Sequence, residues 1–267
     1  MRLERETGMQ AHETAVIHAS AQIGEGVRIG AYSVIEADTV IGDNTEIANH
    51  VTVKQFTRIG PDCRIHTGAV LGDLPQDTKF KGETSYLTIG RGNVIREYAT
   101  LHRASGEGAE TVIGDHNMLM AQTHVAHNCR VGSFVNMANL ATLGGFVQVG
   151  DRAFLGGLCA AHQFVRIGTL AMAGGGSILL EDAPPYMTVA GGYRPPVVSL
   201  NTVGLMRAGL SQETRSELKK AYRILFKSGE TVSRAAARIR QELVQTPEIE
   251  HLAAFLDSSE RGICSGK

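Results

Sequence analysis

The chain of 267 residues contains no tryptophan, and aromatic residues make up only 5% of it. Ordinary globular cores draw more heavily on large rings, so this interior must be built another way. Net charge is also missing. The 26 Lys and Arg stand against 27 Asp and Glu. No basic excess is left to neutralise phosphates, which argues against nucleic acid as the main partner. No run of about 18 apolar residues occurs, so no transmembrane segment is expected. The start, Met1-Arg2-Leu3-Glu4-Arg5-Glu6, is charged and lacks the apolar stretch of a signal peptide. The four cysteines, Cys63, Cys129, Cys159 and Cys264, form neither a C-x-x-C pair nor a dense framework. That usage fits a reducing compartment, and a cytoplasmic protein is expected.

Glycine, by contrast, is abundant, with 31 residues, and the chain repeats. From Ala15 it divides into sixes, AVIHAS, AQIGEG, VRIGAY, SVIEAD, TVIGDN and onward. The third column reads Ile17, Ile23, Ile29, Ile35, Ile41, Ile47, Val53, Ile59, Ile65 and Leu71. It resumes at Ile89, Ile95 and Leu101, then runs from Ile113 through Leu179. Period six fits neither the helical 3.6 nor its multiples, so the unit is a short strand plus a corner. Positions one and three share a strand face and point inward, while position two points out. Column one is accordingly small: Ala15, Ala21, Val27, Ser33, Thr39. Column four favours glycine and column five favours Asp or Asn, residues that tolerate the positive φ of a turn. A two-residue strand needs neighbours above and below, so the hexads must coil into a solenoid.

After Asp182 the pattern changes. Ala183-Pro184-Pro185 and Tyr193-Arg194-Pro195-Pro196 mark a connector. Helices then follow: one N-capped by Ser211 and ending near Ser228-Gly229, one over 232–244, and one started by Thr246-Pro247. Three regions are expected: a lead-in over 1–14, a solenoid over 15–197 with loops at 75–86 and 105–110, and a helical domain over 198–267.

The hexads resemble those of hexapeptide-repeat proteins, which implies three hexads per coil and so places every third hexad on one face. The hexads 69–74, 99–104, 123–128, 141–146 and 159–164 then stack, about 4.8 Å apart. Both insertions leave from the end of this face. The corner residues there include His102, Arg103, His127 and His162, with His124 on the strand leading to His127. An imidazole titrates near neutrality and suits general-base work. A lone histidine at a turn is usually a solvated residue, and His12, His18, His50, His66, His116 and His251 take that reading. Four on one edge beside both insertions do not. Zinc held between solenoids, as in γ-class carbonic anhydrases, is the competing chemistry, although His124-Val-Ala-His127 is shorter than the His-x4-His spacing associated with that class. A cysteine nucleophile is a weaker reading still, because Cys129 and Cys159 sit in the inward column. A degenerate scaffold that only assembles with partners is a third reading.

The hexads resemble those of hexapeptide-repeat transferases, which implies a left-handed parallel β-helix of triangular section followed by a small α-helical domain. More specifically, Gln76-Asp77-Thr78-Lys79-Phe80, Ile95-Arg96-Glu97, Leu101-His102-Arg103, His124-Val125-Ala126-His127, His162-Gln163-Phe164 and Asp182-Ala183-Pro184-Pro185-Tyr186 resemble the acyl-[acyl-carrier-protein]–UDP-N-acetylglucosamine O-acyltransferases of lipid A synthesis. The resemblance implies transfer of a 3-hydroxyacyl group from acyl carrier protein to the sugar 3-hydroxyl, without a cofactor or metal, by a homotrimer with its sites between adjacent solenoids. It makes His127 the general base, the Gly145 N–H the oxyanion donor and Asn128 the partner of the base. Gln76, Asp77, Lys79, His124, His162, Gln163, Asn201 and Arg207 become substrate-binding residues, and Gly175 the limit on acyl length. Arg215, Lys219, Arg223 and Lys227, spaced four apart on one helix face, become a docking stripe for the acidic carrier. Three positions depart from the pattern. Asn128 stands where an aspartate is common, Phe146 where a histidine is expected, and Val203 where a glutamate is expected. These departures keep N-acylation of a 3-amino sugar nucleotide open as a variant.

Overall fold

In a computed structural model, which describes residues 3–4 and 8–266, the hexads wind into a left-handed parallel β-helix. Three ladders of short parallel strands form the faces of a triangular prism, here called sheets A, B and C. The chain passes repeatedly from B to C to A, with every second position outward. Register stacks like on like: Ile29 pairs with Ile47, Ile47 with Ile65, and Ile65 with Ile95. These residues and the column-one residues Val27, Ser33, Thr39, Thr45 and Val51 are buried. The small polar ones are satisfied. Ser33 Oγ donates to the Ala48 carbonyl at 2.7 Å and Thr45 Oγ1 to the Gly60 carbonyl at 3.0 Å. A prism this thin is filled by stacked aliphatics, which accounts for the absent tryptophan.

The corners differ from the sequence expectation. Positive φ falls on the sixth column, as at Asp38 (55°), Asn44 (56°) and Asn128 (59°). Among the described residues the glycines of column four lack it, apart from Gly72 (82°). Those glycines answer a different demand, the closeness of the next coil. A Cβ on Gly30 or Gly42 would stand 2.6 Å from the backbone above, and one on Gly60 2.7 Å.

The ladder begins a hexad earlier than Ala15. Met9 and Ala11 are already buried, and Gln10–Ala11 pairs with Arg28–Ile29. Leu3–Glu4 pairs antiparallel with that first strand. At the far end Val197–Leu200 runs antiparallel to Met187–Val189. An antiparallel partner thus closes both ends of sheet A, where a bare parallel edge would invite pairing with another chain.

Four helices follow: α1 (Thr202–Arg207), α2 (Gln212–Lys227), α3 (Val232–Glu242) and α4 (Pro247–Asp257). Ser211 and Thr246 cap α2 and α4 as the sequence suggests, and Pro247 takes the first turn of α4. α3 stops at Glu242, short of Val244, because Leu243 turns extended. α1 is an addition to the three helices expected from the sequence. Leu218, Ala221 and Leu225 of α2 pack inward together with Ile239 and Leu252. The tail docks on sheet C through Arg166. Its guanidinium bonds Asp182 Oδ2 (2.9 Å), Ser258 Oγ (2.9 Å) and the Phe255 carbonyl (2.9 Å), and lies 4.1 Å over the Phe255 ring.

Candidate active site

Both insertions leave the prism at the corner between sheets B and C. His127 and Asn128 are the last two residues of a hexad there. Asn128 takes the left-handed conformation that Asn adopts readily. Its side chain is fixed by the second insertion. The Ser105 N–H donates to Asn128 Oδ1 at 2.9 Å, and Asn128 Nδ2 donates to the Ser105 carbonyl at 3.1 Å. A backbone N–H needs an acceptor and a carbonyl needs a donor, so the amide has only one orientation. Its Oδ1 also lies 2.8 Å from His127 Nδ1. A neutral His127 therefore carries its proton on Nδ1 and leaves the lone pair on Nε2. Gly145 sits one coil above. A Cβ there would stand 2.7 Å from His127 Nε2, so only glycine fits over this ring. Among the described residues no backbone carbonyl accepts from the Gly145 N–H. The Phe146 ring meets His127 edge-on at 5.4 Å and stacks on Phe164 at 4.8 Å.

His124 and His102, at the same corner, behave differently. His124 Nδ1 bonds Thr100 Oγ1 at 2.8 Å, and its ring packs against His102 at 5.1 Å. Burial, reinforced by His102 and His127, pushes the His124 pKa down to about 4. Burial lowers His102 as well. Both stay neutral near pH 7 and act as hydrogen-bonding groups, not charges. Arg103 is buried between the rings of Phe56 (5.3 Å) and Phe80 (5.6 Å). This clamp ties the first insertion to the prism.

That insertion carries Gln76, Asp77 and Lys79. Asp77 Oδ1 accepts the Lys79 backbone N–H at 2.9 Å. This bond, the Ser105 side chain and the nearby His127 hold the Asp77 carboxyl below its ordinary range. A carboxylate thus faces the His127 corner, while Gln76 and Lys79 are exposed beside it. Two coils above His127, His162 and Gln163 are exposed on the same corner. The Arg261 guanidinium lies 3.4 Å from His162 Nδ1 and donates to the Leu180 carbonyl at 3.1 Å. Arg261 escapes sequence reasoning because it arrives from the tail, 99 positions away.

The remaining candidates lie elsewhere. Asn201 caps α1, accepting the Gly204 N–H at 3.0 Å and donating to the Leu170 carbonyl at 2.8 Å. With Val203 and Arg207 it lines a cleft of about 470 Å³ at the corner between sheets C and A, against Phe134, Arg152, Phe154 and Met172. Gly175 is on the third corner, between A and B. A Cβ there would meet only Gly157, its carbonyl oxygen at 3.3 Å. On α2, Lys219, Arg223 and Lys227 are exposed. Arg215 is half-buried and bonds the Ser211 carbonyl.

An oriented imidazole with a free Nε2, beneath an unengaged backbone N–H and beside a carboxylate, can take a proton from a hydroxyl and stabilise an oxyanion. The comparisons with known proteins agree with such chemistry. Residues 182–264 match the family model described as UDP N-acetylglucosamine O-acyltransferase, domain 2, and residues 20–55 and 38–73 match bacterial transferase hexapeptide repeats. The acyl-[acyl-carrier-protein]–UDP-N-acetylglucosamine O-acyltransferase of Thermodesulfovibrio yellowstonii is 49% identical over 96% of this chain and 99% of its own. That of Trichlorobacter lovleyi is 48% identical over 97% of this chain and 100% of its own. The crystal structure of the Bacteroides fragilis UDP-N-acetylglucosamine acyltransferase superposes with a TM-score of 0.92 at 38% identity, covering 94% of this chain and 98% of that one. With relatives this similar along almost its whole length, the chain belongs to the family of acyl-[acyl-carrier-protein]–UDP-N-acetylglucosamine O-acyltransferases.

Proposed function

We propose that this chain transfers a 3-hydroxyacyl group from the thioester of acyl carrier protein to the 3-hydroxyl of UDP-N-acetylglucosamine, the first step of lipid A synthesis. The observation that carries the reading is the His127 ring, pinned at Nδ1 and open at Nε2 under Gly145. His127 Nε2 takes the proton of the sugar hydroxyl as its oxygen attacks the thioester carbonyl. The Gly145 N–H stabilises the tetrahedral oxyanion, a contribution of about 2.7–4 kcal/mol. Collapse breaks the C–S bond, and the imidazolium returns its proton to the departing thiolate of the carrier. Asp77, with Gln76, Lys79 and His124, orients the acceptor at this corner. His162 and Gln163 continue the site along the groove.

The second part of the proposal is a homotrimer with shared sites. The outward residues of sheets A and B turn apolar in the upper coils: Phe154 and Met172 on A, Ala160 and Ile178 on B. Leu140 and Leu158 are exposed on the corner between them. Sheet C instead presents Arg130, Gln148 and Arg166 and meets α4. A three-fold axis along the A–B corner sets sheet A of one chain against sheet B of the next. The C–A corner of the first then meets the B–C corner of its neighbour. Asn201 and Arg207 thereby reach the His127 of another chain, as nucleotide-binding residues. Gly175, close to the axis, closes the inner end of the acyl groove.

The basic stripe of α2, Arg215, Lys219, Arg223 and Lys227, is the docking face for the acidic carrier. The four cysteines are free thiols, in keeping with a cytoplasmic protein, and among the described residues no helix is long and apolar enough to cross a membrane. The hydroxyl acceptor is preferred to the 3-amino variant and to zinc hydration because the relatives bear the O-acyltransferase name.

The test is a product assay with purified protein, a 3-hydroxyacyl carrier protein and either UDP-N-acetylglucosamine or its 3-amino analogue. The expected product is the ester. Transfer to the 3-amino sugar alone, or no transfer from the carrier, contradicts the proposal.

A further inference from the structure

Asn128 departs from the aspartate expected at this position, and three atoms around it, the Ser105 N and O and His127 Nδ1, explain what the amide does. Ser105 presents a donor and an acceptor, separated by one residue's backbone, and the carboxamide answers both. A carboxylate could accept from the Ser105 N–H, but its second oxygen would face the Ser105 carbonyl with nothing to donate. The amide therefore latches the second insertion onto the corner. The same Oδ1 that accepts from Ser105 accepts from His127 Nδ1, so one group sets the loop and the base together.

We propose that Asn128 is a positioning residue whose amide, latched to the Ser105 backbone, holds His127 with its proton on Nδ1 and provides a base that has no bonded carboxylate behind it. The inference rests on the assignment of His127 as the base. It changes the expected pH behaviour. A carboxylate bonded to Nδ1 stabilises the imidazolium, whereas an amide does not. The groups that face His127 are Asp77 from the first insertion, His102 from the coil below and His124 from its own strand. The coil above offers only the uncharged Gly145 and Phe146. Of these, only Asp77 carries a charge near neutrality, and it holds no hydrogen bond to the ring. In Asn128→Asp a carboxylate would lie directly on Nδ1. The imidazolium would then persist to higher pH, and the rate, which needs the unprotonated ring, would appear later on the way up from acid.

The experiment measures kcat and kcat/KM against pH for the wild-type protein and for Asn128→Asp, Asn128→Ala and His127→Ala. For Asn128→Asp the acid limb is expected to move upward by roughly 1–3 pH units, the shift an adjacent opposite charge produces. For Asn128→Ala the limb should stay in place while kcat falls about 10-fold or more and KM for the sugar nucleotide holds, the sign of lost orientation and not of lost binding. A purely structural Asn128 would lower the melting temperature and leave both the limb and kcat of the surviving protein unchanged. An unmoved limb in Asn128→Asp, or near wild-type kcat in Asn128→Ala, overturns the inference while an inactive His127→Ala preserves the reading beneath it. If Asn128→Asp has no measurable rate at any pH, the kcat of Asn128→Ala decides alone. Activity in His127→Ala overturns the base assignment itself.

Discussion

An imidazole in water shares its proton between two nitrogens, but at His127 only one nitrogen remains open. Asn128 engages the other, and Gly145 leaves just enough room above the ring. Replacing His127 by alanine is therefore expected to lower kcat by about 10²–10⁴-fold. The melting temperature should barely change, since the ring is half-buried at a corner and outside the aliphatic stack. Steady-state kinetics beside a thermal melt check both halves of the expectation. Near wild-type turnover would remove His127 from the chemistry. At this scale the sequence is informative, because counting by six places His102, His124, His127 and His162 on one corner. Counting does not show the latch from Ser105, which depends on the path of an insertion outside the repeat. Nor does it show Arg261, which reaches His162 only through tertiary folding.

Each hexad is too short to hold a strand by itself, so stability resides in stacking. Aliphatic periodicity is strict because every inward position meets its equivalent above and below. The conformational signal is less direct. Glycine marks where coils approach, and the positive φ falls two positions later, often on residues with large side chains such as Tyr32, Phe134 and Leu140. α1 is hard to foresee because its six residues include Thr202, Val203 and Gly204, all weak helix formers. Its cap, Asn201, orders it locally. A buried carboxylate helps anchor the helical tail. Asp182 is 1% exposed and accepts from the Arg166 N–H at 2.8 Å, from Arg166 Nε and from Ser259 Oγ at 2.8 Å. Asp182→Ala would take the carboxylate from the Arg166 guanidinium and leave it the Ser258 hydroxyl and the Phe255 carbonyl. Breaking a buried pair in this way costs about 3–5 kcal/mol. The expected outcome is a lower urea midpoint and faster proteolysis within residues 201–266. An unchanged midpoint would show that apolar packing alone holds the tail.

In one chain the candidate residues are divided among three corners. His127, Asp77 and His162 stand on one, Asn201 and Arg207 on the second, Gly175 on the third. A sequence records which corner a residue occupies but not which corners meet, so this part of the site is legible only when the faces are seen together. In the proposed trimer the apolar upper halves of sheets A and B form the contact, and three-fold closure would bring the first two corners into one groove. The direct test is complementation between two impaired variants. His127→Ala spoils one wall of every site, and Arg207→Ala spoils the other. In trimers reassembled from equal amounts, about a quarter of the sites would receive an intact wall from each partner. Product formation by the whole reassembled population, with its composition verified by native mass spectrometry, should rise to about that fraction of the wild-type rate. Mixed trimers that show only the summed activity of the two parents would place the whole site within one chain and contradict the account.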